Sequence, residues 1–415
     1  MTNGIPAIRL VLEPSTWATP PERMSFSKLR QIESCPRRWS LMASEYQQIW
    51  SKRGYPEPLI TANIIGRVTH RAIEFIVKEC HRKGCGSFDD PQTIAVMRDM
   101  GGFSCVIEKC AEETLFQFTG NPRANGRLGD MKKHLNEKKG EIRENVRILL
   151  SRMLASRYVI RRDPSGGYGE DGPLGYGVHP EVRLVNEEMR WEGIADVITL
   201  SPDECEIRDI KTGMPKEEHS EQLRIYSLLW ILDTRKNPAG RSATRLTVSY
   251  IQGDVDVPLL STSGIAAFLK ELEARTNASK ERLTKNPPEA IPSPDGCRHC
   301  TVRHLCSKYW ETETQNVLSE SGSGGSMLDI EIQVVGIHGS RSYDVISVVS
   351  SVLPENTPLV YRFSGSGEGL KKGDRIRLLG VTMVKEEDDE AAEHMVISSS
   401  KITESYQCNV WPKTP

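Results

Sequence analysis

The sequence predicts an α/β protein: a central mixed sheet flanked by helices, carrying a helical insertion and followed by a small all-β barrel. Three observations predict it. From Glu181 to Lys211, short alternating apolar runs are separated by turn residues, as in paired strands. On either side, residues 61–80 and 217–235 place apolar side chains at helical spacing. Beyond a Gly/Ser-rich stretch at 317–327 the pattern becomes strand-like again, nearly to the C-terminus.

A chain of 415 residues has room for two or three domains. Its net charge of −2 gives no global basic field, so any nucleic-acid contact needs a local patch. No apolar run is long enough to span a membrane, and the opening MTNGIPAIRLVLEP does not read as a secretory signal. A cytoplasmic protein without a membrane partner is expected. Ten cysteines in a reducing compartment then argue for metal ligation or free thiols.

Residues 1–23 contain four prolines and no period, which predicts an extended lead-in. A helix should open at Ser25 or Ser27, either of which can cap it, and Cys35-Pro36 should end it. In the helix over 61–80, Ile65, Val68, Ala72, Ile73, Ile76 and Val77 form the apolar stripe, and His70 lies off its centre. Taken alone, His70 reads as a surface histidine. Residues 81–180 read as an insertion, mostly helical, ending in a Gly-rich loop after Asp163. Within residues 121–163 of it, 12 Lys and Arg stand against 5 Asp and Glu, and Lys132, Lys133, Lys138, Lys139, Arg143 and Arg147 are candidates for contacting phosphates. A solvated helical face explains the same residues.

The catalytic candidates lie in the strands that follow. Val182, Leu184 and Trp191 alternate with polar residues, and residues 193–198 are apolar except for Asp196. Ser201-Pro202-Asp203 is turn chemistry, and residues 206–211 alternate again. Asp209 and Lys211 are two apart and share a strand face. Hairpin pairing would set Asp196 beside Asp209. Two carboxylates and an ammonium converging on a sheet suit a hard divalent cation, which can activate water at a phosphodiester. An isolated Asp-x-Lys is more often a solvated face. On the next helix Gln222 and Tyr226, four apart, lie on one side. Residues 246–260 predict an edge hairpin, and 263–284 a helix.

Cys297, Cys300 and Cys306 put three thiols within ten residues. They suit a soft metal with a fourth ligand from elsewhere, or zinc with His304. The remaining cysteines, at 80, 85, 105, 110, 205 and 408, lack ligand spacing. Residues 317–327 read as a flexible linker, and 328–415 as a separate β domain of five short strands. It is similar to an OB-fold, whose Tyr343, Tyr361 and Phe363 can stack bases or fill the core.

The order GIAD, DIKTG and QLRIY resembles the PD-(D/E)XK nucleases of the RecB type, across roughly residues 24–310 of a domain expected over 24–316. The resemblance implies a restriction-endonuclease-like core in which Asp196 and Asp209 hold Mg2+ or Mn2+. It implies that the Ile210 carbonyl and His70, in Gly66-x-x-x-His70, complete the shell. Lys211 positions the attacking water, Gln222 and Tyr226 support the site, and Glu181 stands where the family often has an acid. Cys35 before this core, with Cys297, Cys300 and Cys306 after it, resembles the AddB-like and CRISPR-associated exonucleases. That pattern implies a [4Fe–4S] cluster. The expected substrate is single-stranded or unwound DNA, in repair, recombination or phage defence. No Gly-x-x-x-x-Gly-Lys-[Ser/Thr] stretch occurs, so a helicase motor would be a separate partner. The alternative is a DNA-binding or scaffold subunit that keeps the fold without cleaving alone.

Overall fold

The computed structural model describes residues 9–85, 90–153, 172–315, 327–363, 369–387, 393–400 and 402–408. Most of the expected linker and of the Gly-rich loop after Asp163 lies outside the described residues. A short strand, β1 (Arg9–Val11), precedes α1 (Phe26–Ser34), α2 (Pro36–Ala43) and α3 (Thr61–Lys83). Next come α4 (Pro91–Asp99), α5 (Gly102–Phe116) and α6 (Leu128–Met153). The central strands are β2 (Gly177–Asn186), β3 (Trp191–Leu200) and β4 (Cys205–Lys211). Helix α7 (Glu217–Leu232), β5 (Arg245–Tyr250), β6 (Asp254–Asp256), α8 (Thr262–Arg282) and α9 (Pro294–Arg298) complete the first part.

Local chemistry sets these elements. The Ser25 hydroxyl caps α1 by accepting from the Lys28 amide. Pro36 has the fixed backbone angle that suits a first helical position. Cys35-Pro36 therefore ends one helix and starts another, where a simple end was expected. Helix α3 buries Val68, Ala72, Ile73, Ile76 and Val77, and Gly84 stops it in the left-handed conformation.

The five-stranded sheet runs in the order β2-β3-β4-β5-β6. Strands β2, β3 and β4 form an antiparallel meander, while β4 and β5 are parallel, with α7 as their crossover. β6 closes the sheet as the short edge strand expected after residue 251. Two cores cover the faces. Val178, Val197 and Ile210 pack with α3 to α6, whereas Leu184, Ala195, Ile207 and Val248 pack with α1, α7 and α8. The mixed sheet flanked by helices is the restriction-endonuclease-like arrangement.

The C-terminal strands are β7 (Met327–Gly339), β8 (Ser342–Ser350), β9 (Pro358–Arg362), β10 (Arg375–Glu387), β11 (Glu393–Ser398) and β12 (Glu404–Cys408). The order β7-β8-β9-β11-β10 returns to β7 and closes a five-stranded, OB-like barrel. β12 is a sixth strand beyond the five expected, paired to β10. β1 lies parallel to β12, so part of the expected extended lead-in is a strand of this sheet. Tyr343 and Tyr361 are buried in the barrel core, and Phe363 stacks on Tyr343 with ring centres 5.6 Å apart. Core packing, rather than an open stacking platform, occupies these rings.

Candidate active site and cysteine centre

The β3–β4 register pairs Val197 with Arg208, which sets Asp196 opposite Asp209. The Asp196 Oδ2 accepts from the Ile210 amide at 2.6 Å. His70, from the middle of α3, brings Nδ1 to 3.8 Å from the same oxygen. Gly66 allows this approach: an added Cβ would stand 3.3 Å from Thr212 Oγ1. The Ile210 backbone, the expected carbonyl ligand, lies beside the His70 imidazole. Glu181, on β2, joins them. Ligand atoms of His70, Glu181 and Asp196 lie within 4.8 Å of one another. Glu181 has a backbone φ of 51°, in the left-handed region that costs a non-glycine residue energy. A kink in β2 thus aims this acid.

Asp209 is outside that close trio. Its Oδ2 forms an ion pair with Lys211 Nζ at 2.7 Å. That buried oxygen accepts no aligned hydrogen bond among the described residues. Lys211 also donates to Gln222 Oε1 at 3.0 Å, and Gln222 Nε2 donates to the Tyr226 hydroxyl at 2.6 Å. The helix face expected from Gln222 and Tyr226 is therefore a relay ending on Lys211.

Burial raises the Asp209 carboxyl, Asp196 adds to the shift, and Lys211 opposes it. Burial raises Asp196 as well, against Lys211 and the Ile210 amide. Glu181 is pushed up to about 7, first by burial and then by Asp196. His70 is lowered by burial and by Lys211, which favours the neutral, ligating imidazole. The site carries more carboxylate than its single ammonium balances. An imidazole with several carboxylate oxygens, one of them lacking a donor, fits a divalent cation such as Mg2+ or Mn2+.

The basic insertion reads differently. Lys132 pairs with Glu112 at 3.1 Å, Lys138 with Glu141 at 2.8 Å and Arg147 with Glu144 at 2.7 Å. Lys139 pairs with Glu108, and Lys133 and Arg143 are exposed. Carboxylates of α5 and α6 take up most of this charge, which favours the solvated-face alternative.

Cys35, Cys297, Cys300 and Cys306 line one cavity together with Arg38 and Arg303. All four are free thiols. Burial raises the Cys297 and Cys306 thiols and pushes Cys300 up to about 11. Among the described residues no three of these sulfurs gather within 4.8 Å. Arg38 Nε is buried there without a hydrogen-bond partner. His304 does not line the cavity: its ring contacts the Tyr55 hydroxyl at 2.8 Å and stacks on Tyr406. Arg38 and Arg303 were missed as members of this centre. Arg38 follows two residues after Cys35-Pro36, but spacing alone does not reveal where its side chain goes.

Two acids and a lysine thus meet at the centre of this sheet. The chain matches the PD-(D/E)XK nuclease superfamily over residues 23–307 and belongs to it. Comparison with curated proteins gave no significant match. Among the described residues no helix is long and apolar enough to cross a membrane.

Proposed function

We propose that the protein is a Mg2+- or Mn2+-dependent deoxyribonuclease that also carries a [4Fe–4S] cluster on Cys35, Cys297, Cys300 and Cys306. The observation that carries the nuclease reading is the convergence of His70, Glu181, Asp196, Asp209 and Lys211 on one spot with excess negative charge. A divalent cation held by His70, Glu181, Asp196, Asp209 and the Ile210 carbonyl would neutralise phosphate charge and activate water. Lys211, held between Asp209 and Gln222, orients the attacking water and offsets charge building on the phosphate. The water oxygen would bond to phosphorus as the ester P–O bond breaks, and the proton it loses would pass to a carboxylate of the site, with Glu181 the candidate acceptor. The RecB-like motif order supports an exonuclease on single-stranded or unwound DNA, acting in repair, recombination or phage defence beside a separate helicase.

The cluster reading rests on the shared cavity. Tetrahedral zinc with sulfurs at about 2.3 Å needs them roughly 3.8 Å apart. No three of these thiols come that close together, and the buried Arg38 Nε, without a hydrogen-bond partner, belongs to a residue lining the cavity where an anionic iron–sulfide core would sit. The complete Asp196, Asp209 and Lys211 set favours catalysis over a non-cleaving scaffold subunit. The test is anaerobically purified protein incubated with end-labelled single-stranded and duplex DNA and RNA, with and without Mn2+. Manganese-dependent shortening of DNA, absent in Asp209→Asn, is expected. No cleavage of any substrate would leave the scaffold reading.

A further inference from the structure

The cysteine-bearing segment lies between the nuclease core and the barrel, and the barrel supplies several of its contacts. Arg303 and Tyr309 both line the cysteine cavity. Arg303 donates to the Cys300 carbonyl at 3.1 Å, and its Nε and a terminal nitrogen grip the Asp329 carboxylate as a fork. The Tyr309 hydroxyl donates to the same carboxylate at 2.9 Å. Asp329 belongs to β7 and is fixed in turn by the Gly380 amide at 2.9 Å. Gly380 sits at the register shift of β10 with φ 71°, a conformation that favours glycine.

Other ties run in parallel. Arg377 of β10 donates to the His304 carbonyl, and its guanidinium lies 5.0 Å over Trp310. Arg123, buried, pairs with Glu404 of the barrel at 2.7 Å and donates to the Thr301 carbonyl at 2.9 Å. Cys300, Thr301, Arg303, His304 and Tyr309 are thus all held through side chains that the barrel supplies or fixes. A tethered barrel recruiting partners at a distance would not need these contacts.

We propose that the OB-like barrel is the outer wall of the cysteine centre, and that Asp329 is a positioning residue setting the Cys300–Cys306 segment for its metal group. This rests on the cysteine-centre reading above, but it assigns to the C-terminal barrel a role in holding that group. Outer-shell carboxylates that orient ligands typically change metal affinity about 10- to 100-fold when lost.

The experiment compares the full chain with Asp329→Asn, Asp329→Glu and Asp344→Asn, the last a barrel carboxylate paired with exposed His338. Circular dichroism first shows that each variant is folded. Iron release to an anaerobic chelator is then followed by the visible absorption of the cluster. Asp329→Asn should release iron about tenfold faster, Asp329→Glu should recover part of the loss, and Asp344→Asn should match the parent. Equal release from Asp329→Asn and the parent overturns the proposal.

If the parent holds no iron, the cluster reading fails by itself. The same proteins are then treated metal-free with a maleimide, and labelling of Cys300 and Cys306 is read by mass spectrometry. Faster labelling of these two in Asp329→Asn alone supports the positioning role, and equal labelling rejects it. Should Asp329→Asn not fold, Arg303→Lys, which keeps the charge but not the fork, takes its place in both arms under the same outcomes.

Discussion

Gly193 of β3 and Tyr226 of α7 touch so closely that a Cβ on Gly193 would stand 2.8 Å from the ring Cε1 and 3.0 Å from Cδ1. The missing side chain lets α7 settle against the sheet. That contact places the Tyr226 hydroxyl for Gln222, and Gln222 for Lys211. Gly193→Ala should therefore act as overpacking at the catalytic relay. A loss of about 1–3 kcal/mol is expected, with kcat falling because Lys211 loses its second anchor. Gly66→Ala, whose Cβ meets only Thr212 Oγ1 at 3.3 Å, should cost less. Thermal melts and manganese-dependent cleavage of the two variants check the order. A harmless Gly193→Ala would mean that α7 is free to shift.

Asp209→Asn and Lys211→Ala should each lower cleavage by on the order of 100-fold or more, since charge placed at the transition state is lost. Their stabilities should diverge. The folded state raises the Asp209 carboxyl, so it binds a proton at pH values where the unfolded chain has released it. Stability from this group is full below the ordinary carboxylate range and is lost as pH rises through the raised value. Metal-free protein should thus melt lower at pH 8 than at pH 5.5 on account of this site. Asp209→Asn should shrink that difference and raise the pH 8 melting temperature in EDTA, while Asp196 and Glu181 keep part of it. A lower melting temperature in Asp209→Asn under those conditions would contradict the excess-charge reading.

Strands β2 and β4 were legible from a two-residue period and β3 from an apolar run interrupted by Asp196, with Ser201-Pro202-Asp203 marking the turn between β3 and β4. The Ser201 hydroxyl accepts from the Glu204 amide there at 3.0 Å. Helix α3 was legible because its apolar stripe is long and Gly84 ends it. The kink at Glu181 left no periodic trace, and only the resemblance drew attention to that acid. β1 was hidden because three residues carry no period and its partner, β12, lies at the far end of the chain. Independence of the barrel was inferred from a Gly/Ser stretch, which speaks of the connection and not of the surfaces that meet. The contacts of Asp329 and Arg123 depend on three-dimensional placement that no local pattern encodes.

Replacing Lys132, Lys133, Lys138 and Lys139 with glutamine should leave the salt dependence of DNA binding nearly unchanged. Each phosphate contact contributes about −0.9 to the slope of log K against log salt on duplex DNA and about −0.7 on single strands. Three of these lysines already face Glu112, Glu141 and Glu108. Exposed pairs of this kind add little to stability, so folding should survive as well. A slope shallower by two or more would return α6 to the DNA interface.

Cys35→Ser tests whether the two ends of the nuclease core are joined through one metal group. Cys35 and the cysteines near residue 300 already meet without it: the Ile291 amide reaches Cys35 Sγ at 3.5 Å, and the Arg37 amide donates to the Glu289 carbonyl at 3.0 Å. The apo fold should consequently survive the substitution. A bound group would add the restraint of a very long closed loop, because binding energy that requires the folded site becomes folding energy. The parent protein should be brown, with about four irons and four sulfides per chain if all four thiols hold one cubane. Cys35→Ser should be paler or colourless and melt at the temperature of the chelator-stripped parent. Cys408→Ser should keep both colour and iron, because Cys408 lies on β12 and does not line the cysteine cavity. Metal analysis showing one zinc and no iron would replace the cluster with a zinc centre. A Cys35→Ser protein with undiminished iron and an unchanged melting temperature would remove Cys35 from the ligands, and the cavity would then have to be explained by the three thiols of the 297–306 segment alone.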